Sequence, residues 1–391
     1  MDLLSSRAYS RDWPRRVITS LIATAIVSAS PATYAGSPPM PGLPRLSAVV
    51  ATAPVTTSFS GESASVPDSP TDEAPTIARI RERGRILLGY RQAAIPFSYV
   101  DASDQPMGLS WALCQRIVTA LQRTMAMPEL RSTPVRVIEQ MRGPLIKGDA
   151  IDIDCAPSTV TAERAQRVSF SLPYYAAHIR LMVRQATGIE SLDDMRGLRL
   201  VVVQGTTAER IVRARHARTG FQLLMARDYD DAFRMLRERR AQALALDDVL
   251  LEGLRARSKT PNAYRIVGAP LSSSSDSSDS PEHYALVLPR DDPAFKAQVD
   301  AVLASMFRSG EMARLQREWF QAAVPPHGHP LAVEPSAEVL ALWENGAREV
   351  DAHADANEDA SEDASEDASE DGSSGKRAGR EPAATSPQPG S

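Results

Sequence analysis

Asp152-Ile-Asp-Cys-Ala-Pro-Ser-Thr-Val-Thr-Ala-Glu-Arg164, running on to Phe170-Ser-Leu-Pro-Tyr-Tyr175, is the stretch whose reading decides the fold. Ala150 to Cys155 alternates apolar and acidic residues, the pattern of a half-buried strand. Small polar residues come next (Ser158, Thr159, Thr161), then a helix-compatible run that ends on Arg164. Hydroxyls and backbone N–H groups at a helix start, with an arginine one turn on, suit a carboxylate. The helix dipole favours an anion there, and a guanidinium holds one through two parallel hydrogen bonds. The same residues also fit an ordinary strand, turn and helix with a solvent-facing arginine. The flanking sequence has to choose between them.

Upstream, Ile77 and Ile80 mark a short helix that Gly84 can end, and Ile86-Leu-Leu-Gly-Tyr90 is a buried-type strand. A loop with Pro96 and a turn near Asp101 to Gly108 lead into a helix whose apolar stripe is Leu113, Cys114, Ile117, Val118 and Leu121. A strand over Val135–Ile138 and a short helix over Met141–Ile146 complete a β-α-β-α-β series, the signature of a parallel sheet covered by helices. A second series starts after Tyr175. Its strands are Ile179–Val183, Leu198–Val203, Phe221–Met225 and Ala241–Leu246, with helices after Gln204-Gly-Thr-Thr207, over Tyr229–Arg237 and from Asp247/Asp248. In open α/β sheets ligands collect at the carboxyl ends of strands. Cys155–Thr159, Gln204–Thr207 and Asp247 all fall at such ends. Tyr284–Leu288 returns as a strand, and apolar stripes at Phe295–Met306 and Met312–Trp319 read as helices.

The chain of 391 residues has room for two or three domains. Its net charge of −5 conceals ten acidic residues and no Lys or Arg between Asp351 and Asp371; without them 44 basic residues face 39 acidic ones. So small a basic excess suits a small anionic ligand and gives no argument for nucleic acid. Arg11, Arg15 and Arg16, an apolar run from Val17 to Val27, and Ala32-Thr-Tyr-Ala35 read as a signal peptide over 1–35 that sends the protein to the periplasm. A Pro/Ser-rich leader over 36–73 and an acidic repeat over 348–391 are expected to be disordered, and a serine-rich insert at Leu271–Pro281 is expected to be an exposed loop. Cys114 and Cys155 can pair in an oxidising compartment, but their spacing alone does not show it. For Cys114, on its helical stripe, a small buried hydrophobe is the commoner role. His327 and His329, between prolines, make a poor metal site, and neither metal nor cofactor is expected.

From about Ile77 to Trp343 the sequence resembles the periplasmic amino-acid-binding proteins of ABC transporters, and within them the glutamate/aspartate-binding branch. The resemblance is carried by Gly89-Tyr-Arg-Gln-Ala-Ala-Ile-Pro-Phe-Ser-Tyr99, Arg142-Gly-Pro-Leu-Ile146, Asp152-Ile-Asp-Cys155 and Glu163-Arg164. It continues through Phe170-Ser171, Gly205-Thr-Thr207, Asp247-Asp248 and Tyr264-Arg-Ile-Val-Gly268. It implies an α/β, two-lobed fold, each lobe a mainly parallel sheet flanked by helices, joined by hinge strands. The lobes would be 74–174 with 283–347, and 175–282. It implies a monomer that passes its amino acid to a membrane permease. Arg164 would clamp the ligand α-carboxylate with Thr159, Thr206 and Thr207, and Asp247 would accept from the α-ammonium. Arg91 and Arg142 would reach a side-chain carboxylate, and each charge-assisted bond is worth roughly 1.5–3 kcal/mol.

The chain departs from that branch at three places. Glu139 stands where a small hydroxyl residue is expected, Ala156-Pro157 where Gly-Ser is, and Tyr229, still a pocket residue, where a histidine is. Glu139 either faces outward or pairs with Arg91 or Arg142; turned inward, it favours a neutral or amide ligand side chain over glutamate. A second class of function is an enzyme on the same scaffold, dehydrating arogenate or prephenate with Glu139 or Asp154 as general acid, but no nucleophile–base–orienter set is visible. A third is a sensor whose acidic tail contacts a partner.

Overall fold

The computed structural model describes residues 73–271, 281–325 and 328–352. The signal peptide, the leader before residue 73, most of the serine-rich insert and the acidic repeat lie outside the described residues.

Two sheets carry the fold. In the first, the strand order is Arg131–Arg136, Arg85–Tyr90, Ile153–Thr159, Glu282–Leu288, Ser169–Phe170. The first three run parallel, and Glu282–Leu288 returns antiparallel to Ile153–Thr159. Parallel neighbours require a crossover, and the helix Leu109–Thr124 and the short helix Arg142–Lys147 supply it. The second sheet has the order Gln222–Ala226, Arg199–Val203, Ala243–Asp247, Ile179–Arg184, Tyr264–Val267. Its first three strands are parallel, crossed over by Thr207–Thr219 and Tyr229–Arg237; the last two are antiparallel. Between the sheets, Tyr175–Ala177 and Glu282–Leu288 lie side by side, antiparallel, with Tyr284 opposite Tyr175. These are the hinge strands. Phe97 packs edge-on against Tyr175, Tyr284 and Phe320 at ring separations of 4.9, 5.3 and 5.5 Å.

The stretch from Asp152 differs from its sequence reading. The strand starts at Ile153, runs through Thr159, and is buried at every residue. The acidic half of the alternation does not face water. Asp152 accepts from the Arg83 guanidinium at 2.6 Å and from the Leu87 N–H at 2.8 Å. Asp154 forms a two-pronged pair with Arg91 at 2.7 and 2.9 Å. A paired carboxylate can sit where an unpaired one cannot, so both faces of the strand are covered. Beyond the strand comes a single helical turn, Ala162–Ala165, capped by Thr161, whose hydroxyl accepts from the Arg164 N–H.

Cys114 and Cys155 form a disulfide with a Cα–Cα distance of 6.1 Å. Cys114 is therefore a cross-link as well as a buried residue, joining the helix Leu109–Thr124 to the strand that ends at Thr159. The chain is also helical over residues 337–352, past the expected start of the tail at 348. Trp343 on this helix donates its indole N–H to the Tyr174 carbonyl at 2.8 Å, and Asp351 pairs with Arg308 at 2.7 Å.

Candidate functional site

The carboxyl ends of the parallel strands in both sheets face one another across the hinge. Ile153–Thr159 delivers Thr159, with Arg164 one capped turn later. Arg199–Val203 delivers the turn Gln204–Thr206 and the helix Thr207–Thr219, and Ala243–Asp247 delivers Asp247.

Gly205 is where the two walls meet. Its φ of +77° lies in the left-handed region that favours glycine, and a Cβ there would stand 3.0 Å from the backbone of Gln140. The Gly205 carbonyl accepts from Arg142 at 3.1 Å and from Arg164 at 3.0 Å. The other arm of Arg142 donates to the Glu139 carbonyl at 2.8 Å, and that of Arg164 to the Thr159 carbonyl at 2.7 Å. Both guanidiniums thus bond to backbone carbonyls rather than to carboxylates. Burial pushes both down from the usual arginine range, with Arg164 and Arg91 adding to the effect on Arg142. They nonetheless stay charged at neutral pH, as arginine does. A groove of about 1070 Å³ opens beside them, with Lys147 and Arg167 also on its walls.

The inner side of the cleft is tightly packed. A cavity of about 10 Å³ separates Arg91, Glu139 and Tyr229. Arg91 is 2% exposed, and besides its pair with Asp154 its Nε lies 3.4 Å from Glu139. Burial opposes its charge, but Asp154 and Glu139 outweigh that and raise it above the ordinary arginine value. Gly89 allows the approach of Asp154, because a Cβ there would stand 2.9 Å from Asp154 Oδ1. Glu139 itself is buried, its Oε2 without a hydrogen-bond partner among the described residues. Burial pushes its carboxyl up, against the pull of Arg91. Tyr229 is buried, and burial followed by the charge of Glu139 pushes its phenol far up.

On the opposite wall Asp247 accepts from the Tyr284 hydroxyl on the returning hinge strand. Burial first, then the charge of Glu282, pushes the Asp247 carboxyl up to about 8. Glu282 is the first residue of that strand. Its Oε2 accepts from the hydroxyls of Thr159 at 2.8 Å and Thr207 at 2.6 Å, one from each wall.

The residues named from the sequence therefore gather at one cleft, with different engagements. Arg142, Arg164, Thr159, Thr207 and Asp247 face it. Thr206 works on the helix end: its hydroxyl donates to the Val203 carbonyl at 2.7 Å and accepts from the Glu209 N–H at 3.1 Å, while Glu209 reaches back to the Gly205 N–H. Arg91 lies behind the wall, engaged by two carboxylates. Glu139 faces inward. Sequence reasoning missed Glu282, Tyr284 and the partner role of Asp154. All three belong to bonds spanning 37 to 123 residues, which local pattern does not register.

Residues 86–322 match the family model for bacterial extracellular solute-binding proteins, family 3. The chain is 34% identical over 270 residues to the L-glutamate/L-aspartate-binding protein of Pseudomonas aeruginosa, covering 68% of this chain and 87% of that one. It is 30% identical over 296 residues to the glutamate/aspartate import solute-binding protein of Escherichia coli, covering 75% and 95%. Among solved structures, a variant of the arginine-binding protein of T. maritima superposes with a TM-score of 0.55 at 26% identity, covering 63% of this chain and 99% of that one. With the family model spanning more than half its length, the chain belongs to the bacterial extracellular solute-binding proteins of family 3.

Proposed function

We propose that the protein is a periplasmic receptor that captures an amino acid between its lobes, 74–174 with 283–347 and 175–282, and passes it to the permease of an ABC transporter. The observation that carries this reading is a pair of guanidiniums facing a carboxyl group and a hydroxyl across one cleft. Arg142 and Arg164 meet at Gly205, while Asp247 and the hydroxyl of Tyr284 stand on the other side. A free amino acid brings a carboxylate for the first and an ammonium for the second. Arg164, Thr159, Thr207 and the helix start capped by Thr206 take the α-carboxylate. Asp247 takes the ammonium, and Tyr229 lines the pocket.

Glutamate or aspartate leads as the ligand. Two guanidiniums at the groove bond to carbonyls and, among the described residues, hold no carboxylate. The Pseudomonas and Escherichia relatives carry that specificity in their names. Arg91 contributes from behind, through Arg142's surroundings. Inward Glu139 counts the other way, toward an amide, but the guanidinium it pairs with is that of Arg91, at 3.4 Å, and not that of Arg142, so glutamine is the comparison that matters. We read the protein as a receptor and not a catalyst: Asp154, the acid with the best geometry, is consumed by Arg91, and Glu139 touches the same guanidinium.

Calorimetric titration of the full chain with glutamate, aspartate, glutamine, asparagine and histidine tests the proposal. Binding of at least one is expected, with Arg164→Ala reducing affinity more than tenfold, since a charge-assisted bond is worth about 1.5–3 kcal/mol. Turnover of prephenate with no amino acid bound would sink it. An unchanged glutamate-to-glutamine ratio in Glu139→Ser would remove Glu139 from the choice of ligand.

A further inference from the structure

Glu282 sits where the receptor reading needs an amino-acid carboxylate to sit. Thr159 ends a strand of one lobe and Thr207 opens a helix of the other; both donate their hydroxyls to the same Glu282 oxygen. Glu282 is also the carboxylate whose charge acts most strongly on Arg164. Two of the groups that would grip a ligand's α-carboxylate therefore already bond a carboxylate of the chain itself, and the third, Arg164, bonds the Thr159 and Gly205 carbonyls close by.

A hydroxyl has one proton to donate. While Thr159 and Thr207 donate to Glu282 they have nothing left for an incoming carboxylate. Two carboxylates crowded between the same threonines and Arg164 would also repel one another. Binding thus requires one of two things. Glu282 leaves the cradle, or it stays and serves the ammonium beside Asp247. The second is disfavoured by the geometry, because the Glu282 oxygen already accepts from two hydroxyl donors of the anion cradle, one from each wall. Departure is sterically open: Glu282 is half-buried, at the first residue of its strand, on a long side chain with several rotamers.

We propose that Glu282 is an internal competitor for the amino-acid site: its carboxylate occupies the Thr159–Thr207 hydroxyl cradle beside Arg164, pins the lobes together through the two hydroxyls, and is displaced when a ligand carboxylate enters. The proposal rests on the receptor reading and adds to it a residue that sets affinity by subtraction. Ligand competes with a tethered group, so apparent affinity is intrinsic affinity multiplied by the fraction of molecules with the cradle clear. It also restricts the ligand class, since only a carboxylate replaces what Glu282 gives up.

The test is calorimetry and stopped-flow binding of L-glutamate to the wild-type full chain and to Glu282→Ala and Glu282→Gln, with circular dichroism to confirm folding. If L-glutamate does not bind, the tightest-binding of the other four amino acids in the calorimetric panel is the probe. Glu282→Ala is expected to bind about tenfold more tightly, the gain appearing in the association rate, because the clear cradle then rises from about a tenth of molecules to all of them. Glu282→Gln, whose amide oxygen still accepts one hydroxyl, is expected in between, and it decides the matter should Glu282→Ala fail to fold. Weaker binding in both variants would make Glu282 an ammonium ligand and overturn the proposal, leaving the receptor reading intact. Unchanged affinity would overturn it as well. If no panel amino acid binds wild type or variants, the receptor reading falls and the competitor with it; if only the variants bind, both stand.

Discussion

Asp247 shows at the scale of one residue what burying a charge site does. Its carboxyl, pushed up to about 8 by burial and by Glu282, keeps its proton in the folded chain across a range where the unfolded chain, titrating near ~3.9, has lost it. Through that window the folded state binds more protons than the unfolded one. Stability is therefore highest at the acid end and declines as pH rises from about 4 to about 8, then levels off. Glu139, also raised, pulls the same way. The melting temperature should fall between pH 5 and pH 8.5, and fall less in Asp247→Asn. Scanning calorimetry at the two pH values decides it, and equal slopes would mean that Asp247 titrates as an ordinary carboxylate. The residue types of the cleft were legible in the sequence; their partners were not. Arg91 matches a known pattern on both sides in sequence, yet Asp154, 63 residues on, determines what its guanidinium does. The direction of Glu139 was likewise open until the fold turned it toward Arg91.

Among the elements, the strand Ile153–Thr159 depends most on what is tied to it. The Cys114–Cys155 bond closes a loop with a sequence separation of 41 and ties this strand, two steps before Pro157, to the helix Leu109–Thr124. A loop of that length lowers the entropy of the unfolded chain by an amount worth about 4 kcal/mol. The unfolding free energy from urea titration should fall by up to that amount on reduction, or in the Cys114→Ala/Cys155→Ala double variant, with the midpoint moving to lower urea. Superimposable curves would show that helix and strand are held by packing alone. Periodicity located most elements because apolar stripes and runs mark faces that are buried. It failed where no face is buried. The strand Arg131–Arg136 is at the sheet edge, polar and half exposed, with Pro134 inside it, and the apolar signal three to four residues later drew the reading to Val135–Ile138. Edge strands tolerate proline and polar residues because one side of the ladder is unpaired. The short hinge strand Tyr175–Ala177 escaped for another reason: three residues carry no period, and it is defined by its partner Glu282–Leu288 and not by its own sequence.

At the scale of the molecule, two lobes with separate sheets would ordinarily melt separately, since contacts between domains are fewer than within them. The packing argues against that here. One contiguous apolar cluster contains Leu88 and Ile153 of the first sheet together with Val203, Leu244 and Leu246 of the second. The helix Asp248–Arg257 approaches the first lobe so closely that a Cβ on Gly253 would stand 2.2 Å from the Ile95 carbonyl oxygen. The cleft adds the two hydrogen bonds accepted by the Gly205 carbonyl and the Glu282 link, so unfolding one lobe strips the other of buried apolar surface and of hydrogen-bond partners. Losses of that kind couple transitions. Scanning calorimetry should record one endotherm whose calorimetric and van't Hoff enthalpies agree. A ligand at about a hundred times its Kd should move that endotherm as a unit, adding about 2.7 kcal/mol. Two resolved endotherms, with ligand moving only one, would mean that the shared cluster does not bind the lobes into a cooperative whole. The hinge would then act between independent domains, and the Glu282 link would be too weak to hold them closed.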